Sequence, residues 1–202
     1  MAIKLTKNEL RNQQTRLSQF QRYLPTLQLK KAMLQFEVTL AHMEIGRLKD
    51  EMTVIRHQVH PFSPFLLEKV SVNLFQYAEI VHVKKHYENV AGVEIPIFDR
   101  VIFREADYTL FDSPIWADKA TEIVRELVIL REKMNIAEEK KRALEKELRD
   151  VSIRVNLFEK ILIPRAQENI KKVRIFLGDQ QLASVAQAKV AKKKIALKRE
   201  AQ

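Results

Sequence analysis

Two long runs of apolar residues, each stepping alternately by three and four, restrict what this chain can fold into more than any other feature. The first runs from position 10 to position 59 and includes Leu17, Leu24, Leu34, Ile45 and Met52. Thirteen of its fifteen positions are apolar, the exceptions being Gln13 and Lys31. The second runs from 116 to 162 and includes Trp116, Leu127, Met134, Leu148, Val155 and Phe158. Thirteen of its fourteen positions are apolar, with Lys141 the exception. A spacing of this kind, held this long, keeps one stripe on one face only when two helices wind around each other with a left-handed twist. Two such runs in one chain, joined by about 50 other residues, fold back on each other as a helical hairpin. The expected fold class is therefore mainly α: a long antiparallel two-helix coiled-coil hairpin with a short mid-chain β-hairpin insert.

Local signals mark the boundaries. The first helix is expected to stop near His60, because Pro61 and Pro64 disfavour the helical conformation just before them. Asp112-Ser113-Pro114 offers the second helix an N-cap hydroxyl followed by a proline whose missing N–H has no helical partner to lose. This divides the chain into an N-terminal long helix (1–60), an insert (61–112) and a C-terminal long helix with a basic tip (113–202). Inside the insert, 65–76 reads as a short helix. The stretches 78–83 and 90–98 are β-rich with partial alternation and read as two strands, Pro96 confining its strand to an edge. With only 3 Gly and 6 Pro, the chain lacks the punctuation of a β-sandwich or a doubly wound sheet.

If Val59 lies opposite Pro114, paired residue numbers total about 173 along the hairpin. Lys31 and Lys141 would then share one layer, their ammonium groups snorkelling outward or meeting Glu138 or Glu145. Met1 would lie near Lys172, leaving about 30 C-terminal residues as a single overhanging helix. Pro25 and Pro164 each remove one backbone hydrogen bond and favour a kink. Burial along one seam does not offset the entropy of ordering about 100 residues, so a third surface packed against the coil is expected as well.

Charge and composition narrow the function. There is no cysteine, which excludes disulfides, thiolate nucleophiles and Cys-ligated zinc and suits a reducing cytoplasm. The opening ten residues carry Lys4, Lys7 and Glu9 and lack the apolar stretch of a signal peptide. No run of about 18 apolar residues occurs, so membrane contact is expected only through partners. Of the net charge of +10, much sits at the ends: residues 1–31 hold seven Lys/Arg against Glu9, and 189–202 hold six against Glu200. Such ends can meet nucleic acid, an acidic membrane or an acidic protein sleeve. Interleaved aromatics and zinc-finger or basic-zipper spacing are absent, which argues against nucleic acid. His57, His60, His82 and His86 lack a completing Asp or Cys and read as surface or half-buried histidines rather than metal ligands. The stretch 138–147 reads as a solvated flank with i,i+4 pairing, and Trp116 as a core anchor. No phosphate-binding loop, nucleophile elbow or metalloprotease motif is present, so no catalytic, cofactor or metal residues are expected.

Three motifs carry a resemblance. Asn89-Val90-Ala91-Gly92-Val93-Glu94-Ile95-Pro96-Ile97-Phe98 closely resembles the mid-chain motif of the D subunit of V/A-type (vacuolar/archaeal-type) ATPases in its bacterial form. Arg154-Val155-Asn156, followed by Ile161-Leu162-Ile163-Pro164-Arg165, looks like the C-terminal signature of that family, and Leu5-Thr6-Lys7-Asn8-Glu9-Leu10 is similar to its N-terminus. The order of elements agrees along essentially the whole chain. One stretch departs: Leu27-Gln28-Leu29-Lys30-Lys31-Ala32-Met33 stands where the family commonly carries a Leu/Lys-rich stretch with Arg-Asp, and Pro25 lies outside the pattern.

The resemblance implies the central rotor stalk of a V-type ATPase that works in ATP synthesis and in proton or other ion transport. The paired chain ends would sit inside a hexameric ring of catalytic and non-catalytic subunits (A and B), with Lys4, Lys7, Arg11, Lys189, Lys192, Lys193 and Lys194 facing ring carboxylates or carbonyls. The insert would point toward the membrane and meet the socket subunit (C/d type), while the small F subunit would bind the coil's flank. The chain itself would be non-catalytic, free of cofactors, and cytoplasmic at the periphery of the cell membrane. The alternative is a free-standing coiled-coil scaffold or nucleic-acid-binding protein that dimerises through its seams.

Overall fold

The computed structural model describes residues 3–59, 78–104 and 116–200. Helix α1 spans Lys7–Val59, strands β1 and β2 span Ile80–Val90 and Val93–Phe103, and helix α2 spans Ala117–Leu157. A π-helical segment, Phe158–Leu162, comes directly after α2 and leads into helix α3, Ile163–Glu200. The architecture is mainly helical with one two-stranded antiparallel sheet, as the apolar periodicity requires.

Helix α1 begins where its sequence supplies a cap. The Thr6 hydroxyl accepts the Glu9 N–H at 3.2 Å and the Thr6 carbonyl accepts the Leu10 N–H at 3.0 Å, which satisfies N–H groups that have no partner inside the helix. The helix ends at Val59, beside the expected stop at His60. Pro25 lies inside α1 without interrupting it. Helix α2 starts at Ala117, three residues after Pro114, and the Ala120 N–H donates to the Trp116 carbonyl at 3.0 Å. Ser113, Pro114, His60 and the short helix expected over 65–76 lie outside the described residues.

By compactness the chain forms two units, one of Lys30–Asp150 and one of Met1–Leu29 with Val151–Gln202. In the first, Ile45, Leu48 and Ile55 of α1 cluster with Ile123, Leu130 and Ala137 of α2, and Met52, Leu127 and Met134 pack against them. Leu34 and Leu144 are fully buried, and Trp116 packs on Ala117 and Ala120. Lys30 bonds Glu147 at 2.7 Å and Glu44 meets Lys140 at 3.2 Å, so α1 and α2 run antiparallel.

These two pairs total 177 and 184, beyond the 173 expected from matching the helix ends. Interlocking of buried side chains sets the register, and helix termini carry little of that burial. As a result Lys30, rather than Lys31, crosses to α2. Lys141 lies six residues from that layer and pairs within its own helix to Glu145 at 3.7 Å. Partly exposed ion pairs of this kind contribute only about 0.2–1 kcal/mol and fix alignment more than stability.

The sheet differs from expectation in its boundaries. Both strands are longer than expected, and the turn falls at Ala91 and Gly92, inside the stretch read as the second strand. Ala91 (φ 52°) and Gly92 (φ 82°) both lie in the left-handed region, as a two-residue hairpin turn requires. Asn89 Oδ1 accepts the Gly92 N–H at 2.9 Å, and Val90 pairs with Val93. Pro96 pairs with Tyr87, and in a two-stranded sheet every strand is an edge. Bulges fall between Ile80 and His82 and between Lys84 and Lys85.

The hairpin packs along the coil of the same unit. Arg125 donates to the Arg104 carbonyl at 3.0 Å and stacks 5.3 Å from the Phe103 ring. Lys133 lies 5.5 Å from the Phe98 ring, and Lys85 bonds Glu139 at 3.0 Å. At the turn, a Cβ on Gly92 would sit 3.6 Å from Lys30 Nζ. Successive contacts thus carry the hairpin from the start of α2 toward the Lys30–Glu147 layer, supplying part of the third surface that two helices alone lack.

Candidate functional site

The surfaces available to partners are the chain ends, the π segment with the helix beyond it, and the hairpin. In the unit of Met1–Leu29 and Val151–Gln202, Phe20 and Phe158 meet edge to face at 5.4 Å, and Val151, Val155 and Gln13 are buried. Of the other expected coil residues, Leu17, Leu24 and Phe158 are half-buried, as are Met52, Trp116, Leu127, Met134 and Leu148 of the first unit. Gln13, one of the two polar positions in the first run, takes the Glu9 carboxylate as acceptor at 2.7 Å, so its amide is not left unpaired.

The π segment is a feature the periodicity did not reveal. The Ile163 N–H donates to the Phe158 carbonyl, five residues back rather than four. Pro164 has no N–H and its ring crowds the carbonyl four residues before it, so a widened turn just ahead of it relieves the clash. The extra residue rotates the next helix by about 100° relative to an uninterrupted one. Unbroken 3-4 spacing beyond Leu162 would put Arg165, Asn169 and Lys172 on the seam. Instead Ala166, Ile170 and Val173 are buried, at 3%, 7% and 0% exposure. The exposed Arg154 and Asn156 precede the segment and Ile163, Pro164 and Arg165 come after it, so the C-terminal motif brackets this phase change. The available signal was Pro164 together with apolar residues at 166, 170 and 173.

Beyond that point α3 emerges from its packing. Every described side chain from Asp179 onward is exposed, so the single-helix tip is shorter than the 30 residues expected. The added residue and the larger register carry the N-terminal part of α1 further along α3: Gln14, Leu17, Ser18 and Gln21 share a groove with Gln167, Ile170 and Arg174. Lys4, Lys7 and Arg11 are exposed at the start of the chain, and Lys189, Lys192, Lys193 and Lys194 are exposed near its end. No hydrogen bond or ion pair joins the two sets among the described residues, and none of the seven side chains forms an ion pair there.

On the hairpin, Asn89, Val90, Ala91, Gly92 and Val93 form the turn and its first pairs, while Pro96 and Ile95 are buried. His86 bonds Asp99 through Nδ1 at 2.7 Å and approaches Glu88 through Nε2 at 3.3 Å. These hydrogen bonds, that to Asp99 first, raise its pKa above the usual histidine value. Glu139 acts likewise on Lys85, raising its pKa. His82 and His57 are exposed, and among the described residues no group of three or more His, Asp or Glu is arranged to hold a metal ion. None of the described helices is long and apolar enough to cross a membrane.

The family of ATP synthase D subunits matches residues 9–193. The chain belongs to that family. It is 45% identical to the V-type ATP synthase D subunit of Chlamydia caviae, over 98% of this chain and 96% of the relative. The corresponding proteins of Chlamydia abortus and Chlamydia pneumoniae are 44% and 39% identical, over 98% of this chain and 96% and 95% of theirs. The match to these relatives therefore covers both helical runs, the hairpin turn and the π segment.

Proposed function

We propose that this chain is the central rotor-stalk subunit of a V/A-type rotary ATPase, carrying torque between the catalytic ring and the ion-translocating ring in the membrane. The observation that carries the reading is the family match over residues 9–193, coinciding with two helices packed antiparallel. Torque passes only through a body that resists twisting. Interlocked packing within each unit, with Leu34 and Leu144 buried to 0% exposure in one and Val151 and Val173 in the other, supplies resistance that single helices lack.

In this reading ATP hydrolysis or synthesis belongs to the A and B subunits of the ring. The basic residues Lys4, Lys7, Arg11, Lys189, Lys192, Lys193 and Lys194 meet acidic side chains or carbonyls in the bore of the ring. The end where α1 stops and α2 begins meets the socket subunit, and the small F subunit holds the flank. The chain is then cytoplasmic and reaches the membrane only through partners.

The test is purification of the native assembly through a tag on this chain, with subunit counting. One copy per nucleotide-hydrolysing ring is expected. Recovery only as a homodimer or bound to nucleic acid would favour the scaffold reading and refute this one. Removing residues 189–202 should loosen seating in the ring while leaving the remaining helices folded.

A further inference from the structure

We propose that His86, clamped between the carboxylates of Asp99 and Glu88, is a proton-operated latch on the bulge in β2. As the imidazolium it holds Asp99 as the extra residue and keeps Phe98 and Lys85 against α2. On losing its proton it frees the bulge to move. The inference concerns the hairpin and the coil it packs on, and does not depend on the assembly the chain enters.

Between the pair Lys84 and Arg100 and the pair Lys85 and Phe98, β1 advances by one residue and β2 by two. Asp99 is therefore the residue with no partner opposite, and a bulge of this kind re-aims its side chain. Its carboxylate lies 2.7 Å from His86 Nδ1, while His86 Nε2 lies 3.3 Å from Glu88 Oε1. Each ring nitrogen thus faces a carboxylate oxygen. A neutral imidazole has one N–H to donate, whereas the imidazolium has two. Only the protonated ring can donate to both carboxylates; without the proton, one of them faces a nitrogen lone pair.

The bulge decides which side chains the hairpin presents to the coil. Side chains alternate along a strand, so Lys84, His86 and Glu88 share one face of β1 and Lys85 takes the other. Lys85 bonds Glu139 of α2 at 3.0 Å, and Phe98, opposite Lys85, has Lys133 of α2 5.5 Å from its ring. If the bulge lay one residue nearer the turn, Lys85 would pair with Asp99 and Phe98 would become the extra residue, away from Lys133. The turn at Ala91 and Gly92 and the pairing of His86 with Ile97 would stay as they are. Among the described residues no third strand braces β2, so side-chain contacts decide where its bulge lies.

The charged groups around the ring are Glu88 and Lys84 of β1 and Asp99 and Arg100 of β2, and the two carboxylates bond it. Among the described residues no side chain of α1 or α2 bonds it. The hydrogen bond to Asp99, and then that to Glu88, raise the His86 pKa. The latch is closed below the ordinary histidine value and opens as pH rises through the raised one. Lys85, whose pKa Glu139 raises, keeps its charge through that range, so a change in docking there traces to the histidine.

The test is an NMR titration of the isotope-labelled full chain from pH 5 to pH 9, with circular dichroism to establish that each variant folds. The His86 ring should titrate above the ordinary histidine value, and Asp99→Asn should lower that midpoint more than Glu88→Gln does. Along the same curve the cross-strand Overhauser signal between Lys85 and Phe98 should weaken by about twofold or more, while one between Lys85 and Asp99 grows. In His86→Gln neither signal should depend on pH. A Lys85 to Phe98 signal that stays constant while His86 titrates, or that changes equally in His86→Gln, overturns the latch. So does a midpoint that Asp99→Asn leaves in place. Should a variant fail to fold, the unaltered chain still decides, since its Lys85 to Phe98 signal either follows the His86 midpoint or does not.

Discussion

The register of the coil is open to a direct thermodynamic test through Leu34 and Leu144, both fully buried. Lys30 bonds Glu147, and one turn further along each antiparallel helix lie Leu34 and Leu144, so the two leucines should fill one layer. Under the register of 173, Leu34 would instead face residue 139, about 7.5 Å along α2 from Leu144. Leu34→Ala and Leu144→Ala should each destabilise by about 2–5 kcal/mol, through lost transfer energy and the cavity left behind. For a chain of this size that lowers the melting temperature by about 4–20 °C. Val54→Ala, at a position 59% exposed, should change stability by no more than about 0.5 kcal/mol. The decisive quantity is the double mutant. Because the two truncations open a single cavity, urea unfolding followed at 222 nm should give a coupling energy of about 0.5–3 kcal/mol. Additivity within about 0.5 kcal/mol would refute the shared layer and with it the register drawn from the ion pairs.

Three further outcomes are expected. The hydrogen bonds to Asp99 and Glu88 raise the His86 pKa, so their stabilisation is complete below the ordinary histidine value and is lost as pH rises through the raised one. Protection factors of the β1 and β2 amides, corrected for the intrinsic base-catalysed exchange rate, should therefore be higher at pH 6 than at pH 8, and an unchanged pH profile in His86→Gln would show that the imidazole is not responsible. At the turn, Ala91→Asn should stabilise by a few tenths to about 1 kcal/mol, because asparagine tolerates positive φ better than alanine, whereas Gly92→Ala should destabilise by about 1 kcal/mol. Melting curves that moved in the opposite directions would exclude the turn geometry. Deleting Lys160, an exposed residue of the π segment, should close the widened turn with Ile170 and Val173 still on the seam, and so lower the melting temperature by several degrees less than deleting Glu168, an exposed residue of regular α3, which rotates Ile170 and Val173 by about 100°. Equal melting of the two variants would mean that the extra residue does not set the seam's phase.

Much of this molecule was legible in its residue pattern. The 3-4 spacing from Leu10 to Ile55 and from Trp116 to Phe158 specified two seam helices, because a helix turning every 3.6 residues can bury such a stripe only against another like it. Pro61 marked the stop of the first helix, which ends at Val59, whereas the Thr6 cap and the positive φ of Gly92 came from the structure. The motifs around Asn89, Arg154 and Pro164 carried the family resemblance. The hairpin was placed correctly in the chain but its turn was misplaced, since Val90-Ala91-Gly92-Val93 reads as a β-rich run until the φ angles of Ala91 and Gly92 separate the strands.

The sequence by itself determined the two long helices and a strand pair between them, since periodicity and proline act within a few neighbouring residues. Only the tertiary structure decided the register between α1 and α2 and the hairpin's position against Arg125, Lys133 and Glu139. Each of these depends on interlocking between side chains far apart in the chain. One-dimensional spacing records that a face is apolar but not which surface comes to cover it.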